Sequence, residues 1–294
     1  MNPYNGPFLI KVKNVGNILW IASYPKSGNT WVRAFLHNYI EDAKTPQNIN
    51  HLHAQFVDEV KAHRYQAFIP DDKKTTDLSL EEICAIRPMV QAQMAAQAPA
   101  TLFVKTHNFQ GEYKGSPLHN WQVSSGAIYI VRNPLDVAVS LKHYFDYSYD
   151  EAIAYMAETM SGTPNEPENV PQVISSWSQH VASWTQGGRN MLVLRYEDML
   201  ANPQRSFRKI ESLLGVKKNV KRLSKAIRFS SFNQLKKQEQ ATGFSEKHEN
   251  AGEFFRQGKP NQWREELSDK QIRQIIRDHK EQMDRFKYIP ADYC

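Results

Sequence analysis

Four short apolar runs punctuate the chain: ILWIAS at 18–23, TLFVKT at 101–106, AIYIVR at 127–132 and MLVLRY at 191–196. Each is continuous rather than alternating, the pattern of strands covered on both faces, as in parallel sheets. Between them apolar positions fall at helical spacing. Trp31, Ala34, Phe35 and Tyr39 predict a helix over 30–42. Ser79 with Glu82 makes a capping box for a helix toward Gln97, and Pro134 opens one that runs to about Phe145. Asn202-Pro203 starts another that stops at Gly215, and Ser268 with Gln271 opens the last. Strands separated by helices predict an α/β fold: a single domain over 1–294, with a central, mostly parallel sheet flanked by helices. Ligands of such sheets bind at the carboxyl ends of the strands. Residues 161–172 and 238–253 read as loops, and the second, polar and carrying two glycines, is a candidate lid.

At 294 residues the chain can bury a substantial core. It has no run of eighteen apolar residues, and residues 1–14 lack a charged-then-apolar leader pattern. The expectation is a cytoplasmic protein without integral membrane association. Cys84 and Cys294 cannot make a disulfide framework, and no paired Cys/His spacing suggests zinc. The net charge of +6 is concentrated: from Arg205 to Lys237 eleven Lys/Arg face one acid, Glu211. Such a field steers anions inward, although a charge run is more often a solvated helix face. No zinc-finger, RRM or KH signature accompanies it, so nucleic acid is not an expected partner.

The chemistry-bearing residues cluster at the ends of the apolar runs. SYPKSGNTW at 23–31 places Lys26, Ser27, Gly28, Asn29 and Thr30 in a tight turn between a strand and a helix N-terminus. Unpaired backbone N–H groups and the positive end of the helix dipole make that turn an anion site. It departs from G-x-x-x-x-G-K-[ST], because Lys26 precedes Gly28. VKTHNF places Lys105 and His107 two residues apart, on one side of an extended chain. Histidine, with its pKa nearest neutrality, suits a general base. VRNPLDVAVSLKHYF puts Arg132 at a strand end and Ser140 about two turns into a helix, and a guanidinium fork suits phosphate. FFRQGKPNQWR supplies a basic glycine turn with Arg256, Gly258 and Lys259.

Taken together these pieces resemble the PAPS-dependent sulfotransferases of the cytosolic type. The resemblance runs in order through YPKSGNTW, KTH, RNPLDVAVS, RYEDML, SSFNQLK and FRQGKPNQW. PAPS is 3′-phosphoadenosine 5′-phosphosulfate, and PAP is the nucleotide left after transfer. The resemblance implies that Lys26, Ser27, Gly28, Asn29 and Thr30 bind the 5′ end in a P-loop-like phosphosulfate turn. Trp31 and Phe232 would sandwich the adenine, with Tyr196 and Ser230 near its edge. Arg132, Ser140, Arg256 and Gly258 would take the 3′-phosphate, with Gln257 standing where the family commonly has lysine. It further implies sulfuryl transfer to a hydroxyl or amine of a small-molecule acceptor by in-line displacement, releasing PAP, with no metal required. His107 would be the base, Lys26 would stabilise the bridging oxygen, Lys105 would support the sulfuryl oxygens and Ser140 would restrain Lys26.

There are departures as well. Asn29 replaces a common threonine, Leu-Pro is missing after His107, and no C-terminal dimer motif is recognisable near 264–273. The oligomeric state is therefore open. Pocket walls are expected from 48–72, 108–121 and 147–170, where Phe56, Tyr65, Phe68 and Tyr147, with Tyr144 and Phe145, point to a hydrophobic hydroxylated acceptor. Two other readings stand beside this one. A P-loop nucleotide kinase would need Mg²⁺ and carboxylate support, and a PAP- or polyanion-binding protein would bind without catalysis.

Overall fold

The computed structural model describes residues 17–188, 190–247 and 252–293; the stretch read for a leader, residues 248–251 of the candidate lid, and Cys294 lie outside them. The strands are β1 (Ile18–Ser23), β2 (Phe56–Asp58), β3 (Leu102–Thr106), β4 (Glu112–Tyr113), β5 (Ser116–Pro117), β6 (Ser124–Val131) and β7 (Met191–Arg195). Five form one sheet in the order β2-β3-β1-β6-β7, and every pairing in it is parallel. The four apolar runs are thus strands. The edge strand β2 was not legible, because three residues carry no period; its pairing with β3 makes it a strand and sets Asp58 opposite Lys105. β4 and β5 form a separate antiparallel ladder.

Each strand is continuously apolar because the sheet has a core on both faces. Along β1, Ile18, Trp20 and Ala22 enter the core that holds Trp177 and Trp184, whereas Leu19 and Ile21 enter the one that holds Phe35 and Phe207. The second face is covered by α1 (Asn29–Ile40) and, later in the chain, by the helices between residues 203 and 242. Helices α2 (Leu80–Gln97), α3 (Pro134–Phe145), α4 (Tyr149–Ala157) and α5 (Trp177–Thr185) lie on the first face. The chain continues through α6 (Tyr196–Ala201), α7 (Pro203–Leu213), α8 (Val220–Phe229) and α9 (Phe232–Thr242). Short α10 (Trp263–Glu266) and long α11 (Asp269–Arg285) close the first face. The capping boxes read at Ser79 and Ser268 are both formed, and Asn133 and Asn202 cap the proline-initiated α3 and α7.

The loop reading of 238–253 holds only in part. Residues 238–242 finish α9, which keeps Leu235 and Glu239 buried at helical spacing, and the helix stops where Gly243 turns to φ 72°. Beyond it Phe244 and Phe255 are buried in the core.

A buried polar network fixes the end of β3. Glu59 accepts hydrogen bonds from Thr106 Oγ1 (3.0 Å), Asn108 Nδ2 (2.7 Å) and Gln91 Nε2 (2.7 Å), and lies 3.5 Å from the Arg87 guanidinium. All five residues are essentially inaccessible to solvent. Satisfied networks of this kind rigidify what they touch, and here they hold the residues on either side of His107.

Candidate active site

After β1 the chain builds β2 and β3 on one side and then crosses to place β6 and β7 on the other. Loops leaving adjacent strands at such a switch point diverge and open a crevice at the carboxyl ends. A cavity of about 640 Å³ lies there. It is lined by Lys26, Gly28, Asn29, Thr30 and Trp31 after β1, Lys105 and His107 at the end of β3, Arg132 and Ser140 after β6, and Tyr196 after β7. Phe232, Arg256, Gln257 and Gly258 complete it. Two of the predicted residues are not brought in. Ser27 and Ser230 do not line the cavity: the Ser27 hydroxyl lies 3.5 Å from the Pro25 carbonyl, and that of Ser230 donates to Ala226 O at 2.9 Å.

The turn after β1 is built around backbone conformations that side chains normally avoid. Lys26 has φ 63° and Gly28 φ 108°. A Cβ on Gly28 would stand 2.8 Å from the Tyr196 ring, and one on Gly258 (φ 63°) would stand 2.2 Å from the Phe232 ring. Both glycines therefore hold bare backbone flush against an aromatic face. The Lys26 ammonium sits between two other rings, 3.8 Å from the centroid of Tyr144 and 3.9 Å from that of Phe254. Burial, helped by the nearby Arg132 charge, lowers its pKa to about 7. The two rings thus hold this ammonium, and Ser140 lines the same cavity. Arg132 donates Nη1 to the Lys26 carbonyl at 2.8 Å and stacks 4.5 Å over Tyr196. Its Nε and the Trp31 Nε1 are buried with no partner among the described residues.

At the end of β3, His107 Nδ1 donates to the Ser23 carbonyl at 2.7 Å. A carbonyl can only accept, so the proton is on Nδ1 and Nε2 keeps its lone pair. Burial first, then the Lys105 charge, lowers the imidazole pKa to about 4. His180, which the sequence gave no reason to single out, donates Nε2 to the His107 carbonyl at 3.2 Å and accepts from Tyr129 at 2.9 Å.

Three charged residues were also missed. Arg33 donates to Asn29 Oδ1 (2.8 Å), to Thr30 Oγ1 (3.0 Å) and to both carboxylate oxygens of Glu246 (2.7 Å each). Lys105 Nζ lies 3.2 Å from Asp58 and 3.6 Å from Glu246. Arg33 had a local signal, since positions three and four after Thr30 and Asn29 share their helix face. Asp58 and Glu246 had none. The Asn29 amide is also spent inside the protein, donating Nδ2 to Ile21 O at 2.9 Å. At the far side Arg256 pairs with Glu266 at 2.9 Å and with Gln262, so its guanidinium is partly committed to protein acceptors.

Of the three expected wall segments, only 147–170 lines the cavity, through Tyr147, Tyr155, Gly162, Thr163, Pro164 and Glu166. Tyr144 and Phe145 join it, whereas Phe56 and Tyr65 are buried in the core. His51 and His53 are exposed, and among the described residues no group of three or more His, Cys, Asp or Glu is placed to hold a metal. Nor does any described helix have the length and apolarity to cross a membrane.

The chain belongs to the sulfotransferase domain family, whose model matches residues 17–287. It is 30% identical over 224 residues to sulfotransferase 1B1 of Canis lupus familiaris, covering 74% of this chain and 65% of that protein. The chain thus spans about two thirds of that relative's length. It is 24% identical over 282 residues to sulfotransferase 1 family member D1 of Mus musculus, covering 90% and 82%. Among solved structures it is similar to mouse sulfotransferase SULT7A1 complexed with PAP, at TM-score 0.59 and 22% identity, covering 94% of this chain and 86% of that one. At that identity the likeness speaks for the fold.

Proposed function

We propose that this chain is a PAPS-dependent sulfotransferase, a single catalytic domain that passes a sulfuryl group to a hydroxyl or amine of a small-molecule acceptor. The observation that carries this reading is the convergence of Lys26, His107 and Arg132 from three adjacent strand ends onto one cavity. The residues fit a ligand with a flat base and separated anionic groups. Buried Arg132 Nε and Trp31 Nε1 still have donors to give, and Trp31 and Phe232 offer aromatic rings to the cavity, Phe232 beside the bare backbone of Gly258.

PAPS, when bound, supplies the activated sulfuryl group and a phosphate leaving group. The chain's own residues supply the rest. His107 Nε2 accepts the acceptor's proton while the Ser23 carbonyl holds the imidazole in the required tautomer. Lys26 would stabilise the charge that grows on the leaving oxygen, assisted by backbone N–H groups at the start of α1. Lys105 would support the sulfuryl oxygens, and Ser140, Arg132 and the 256–258 turn would hold the 3′-phosphate. Tyr144, Phe145, Tyr147 and Tyr155 wall the acceptor side with apolar rings, which favours a phenol or a hydrophobic alcohol. A cytoplasmic site, where PAPS and such acceptors are both in solution, suits this reading.

The test is transfer of ³⁵S from labelled PAPS into phenols, alcohols, amines and sugars, with EDTA present. Transfer to at least one acceptor is expected, with thermal stabilisation by PAP. Stabilisation by ATP with Mg²⁺ but not by PAP, with no transfer, would overturn the reading.

A further inference from the structure

Sulfuryl transfer as described gives no task to Arg33, Asp58 or Glu246, yet the three are linked with Lys105 into one cluster, of which Arg33, Lys105 and Glu246 line the cavity. Arg33 is 2% exposed and forms a bidentate pair with Glu246, with both bonds at 2.7 Å. Two further donors go to the side chains of Asn29 (2.8 Å) and Thr30 (3.0 Å) in the anion turn. Glu246 then reaches Lys105 at 3.6 Å, and Asp58 reaches it from the other side at 3.2 Å. An unbroken chain of contacts therefore connects the turn after β1 to the lysine at the end of β3. Glu246 is its centre and comes from a distant part of the sequence.

Resting on the sulfotransferase reading, we propose that Glu246 is a positioning residue for sulfuryl transfer. With Asp58 it fixes the Lys105 ammonium, and through Arg33 it fixes the side chains of Asn29 and Thr30 and with them the backbone of the anion turn, so one carboxylate ties the lysine at the end of β3 to that turn. A lysine ammonium has three donors on a flexible stem. Asp58 takes one of them at 3.2 Å, and the Glu246 charge 3.6 Å away draws the ammonium toward it, which narrows the directions left to the other two for a sulfuryl oxygen. The Arg33–Glu246 fork is the geometrically specific kind of ion pair, so it fixes orientation as well as charge. Because Arg33 bonds the Thr30 oxygen as a donor, the Thr30 hydroxyl proton is left to point elsewhere. Arg33 and Lys105 also hold the Glu246 carboxyl far below its ordinary range, so it is ionised at every working pH. With two cations and two carboxylates the cluster has no formal net charge, which suits alignment rather than bulk attraction of an anion.

A rival role would be a placeholder: Glu246 would occupy Arg33 until an anionic ligand displaced it. The two differ in what Glu246→Gln does, since glutamine keeps the shape and one acceptor but loses the charge. Transfer of ³⁵S from PAPS to 2-naphthol is measured in the wild type, Glu246→Gln and Asp58→Asn, with PAP affinity by calorimetry. Positioning requires kcat to fall about tenfold or more in Glu246→Gln, with KM for PAPS and Kd for PAP within about threefold of wild type. Asp58→Asn should lower kcat in the same way, and the double variant should lose less than the product of the two. An unchanged kcat in Glu246→Gln overturns the proposal. So does PAP binding more than tenfold tighter with undiminished kcat, the placeholder's signature, or PAP binding lost together with kcat, the signature of a purely structural tie. If Glu246→Gln does not fold, Asp58→Asn decides alone on the same kcat and Kd criteria. Absence of transfer by the wild type to any acceptor of the wider panel would instead count against the sulfotransferase reading itself.

Discussion

Lys26 offers a measurement that tests the anion turn without requiring an acceptor. Its ammonium is buried between Tyr144 and Phe254 near Arg132, and its pKa falls from 10.5 to about 7. Phosphate charge placed beside it would restore the cation, so PAP binding above neutrality must take up a proton. At pH 8 a group of pKa about 7 is roughly 90% neutral, which sets the uptake at about 0.9 proton. The sign follows: affinity falls as pH rises, by a factor of about 11 at pH 8 and about 30 at pH 8.5 relative to the acid plateau. Other groups stay out of this window. His107, with pKa about 4, remains neutral, Lys105, raised by Asp58 and Glu246, remains charged, and nucleotide phosphates, with a second pKa near 6, are almost fully ionised above about pH 7.5, where the uptake is read. Calorimetry with PAP from pH 6.5 to 8.5, in buffers of different ionisation enthalpy, reads the uptake directly. Lys26→Met, which can keep the space between the rings, should bind more weakly and show no slope. A wild type that takes up no proton between pH 7.5 and 8.5, or a methionine variant with the same slope, would refute the reasoning.

His107→Ala should lower kcat about a hundredfold or more while PAP affinity stays near wild type, and the wild-type kcat/KM should rise with pH through about 4 as the imidazole loses its proton, a limb absent from the variant. Arg132→Ala should weaken PAP by about ten- to a hundredfold and leave adenosine 5′-phosphosulfate, which has no 3′-phosphate, nearly unaffected in parallel titrations; equal losses would place Arg132 elsewhere. Gly258→Ala puts a methyl group 2.2 Å from the Phe232 ring at a left-handed position, so calorimetry should show PAP affinity down by at least about tenfold. Glu59→Ala strands the buried Arg87 charge and should cost about 3–5 kcal/mol in urea unfolding, with Glu59→Gln milder; a loss under 1 kcal/mol would mean that water relieves the site.

Much of the molecule was legible from its local pattern. A strand with a core on each face must be apolar at every position, so four strands of the main sheet declared themselves as unbroken runs. Capping residues and prolines marked helix starts, because orphan N–H groups need a partner within a few residues. The turn at 23–31, the Lys105/His107 pair and Arg132 were visible for the same reason: each is a short motif fixed to the end of a strand. Edge strand β2 was not, being too short for a period and made a strand only by its partner. The helical end of 238–253 was hidden because its polar composition outweighed the burial of Leu235 and Glu239. What tertiary structure alone decided is the set of partners across the cavity. Tyr144 and Phe254 around Lys26, Asp58 beside Lys105, and Glu246 on Arg33 are separated along the chain by 47 to 228 residues. Through-space charge and ring contacts depend on distance after folding, and no spacing along the sequence encodes that distance.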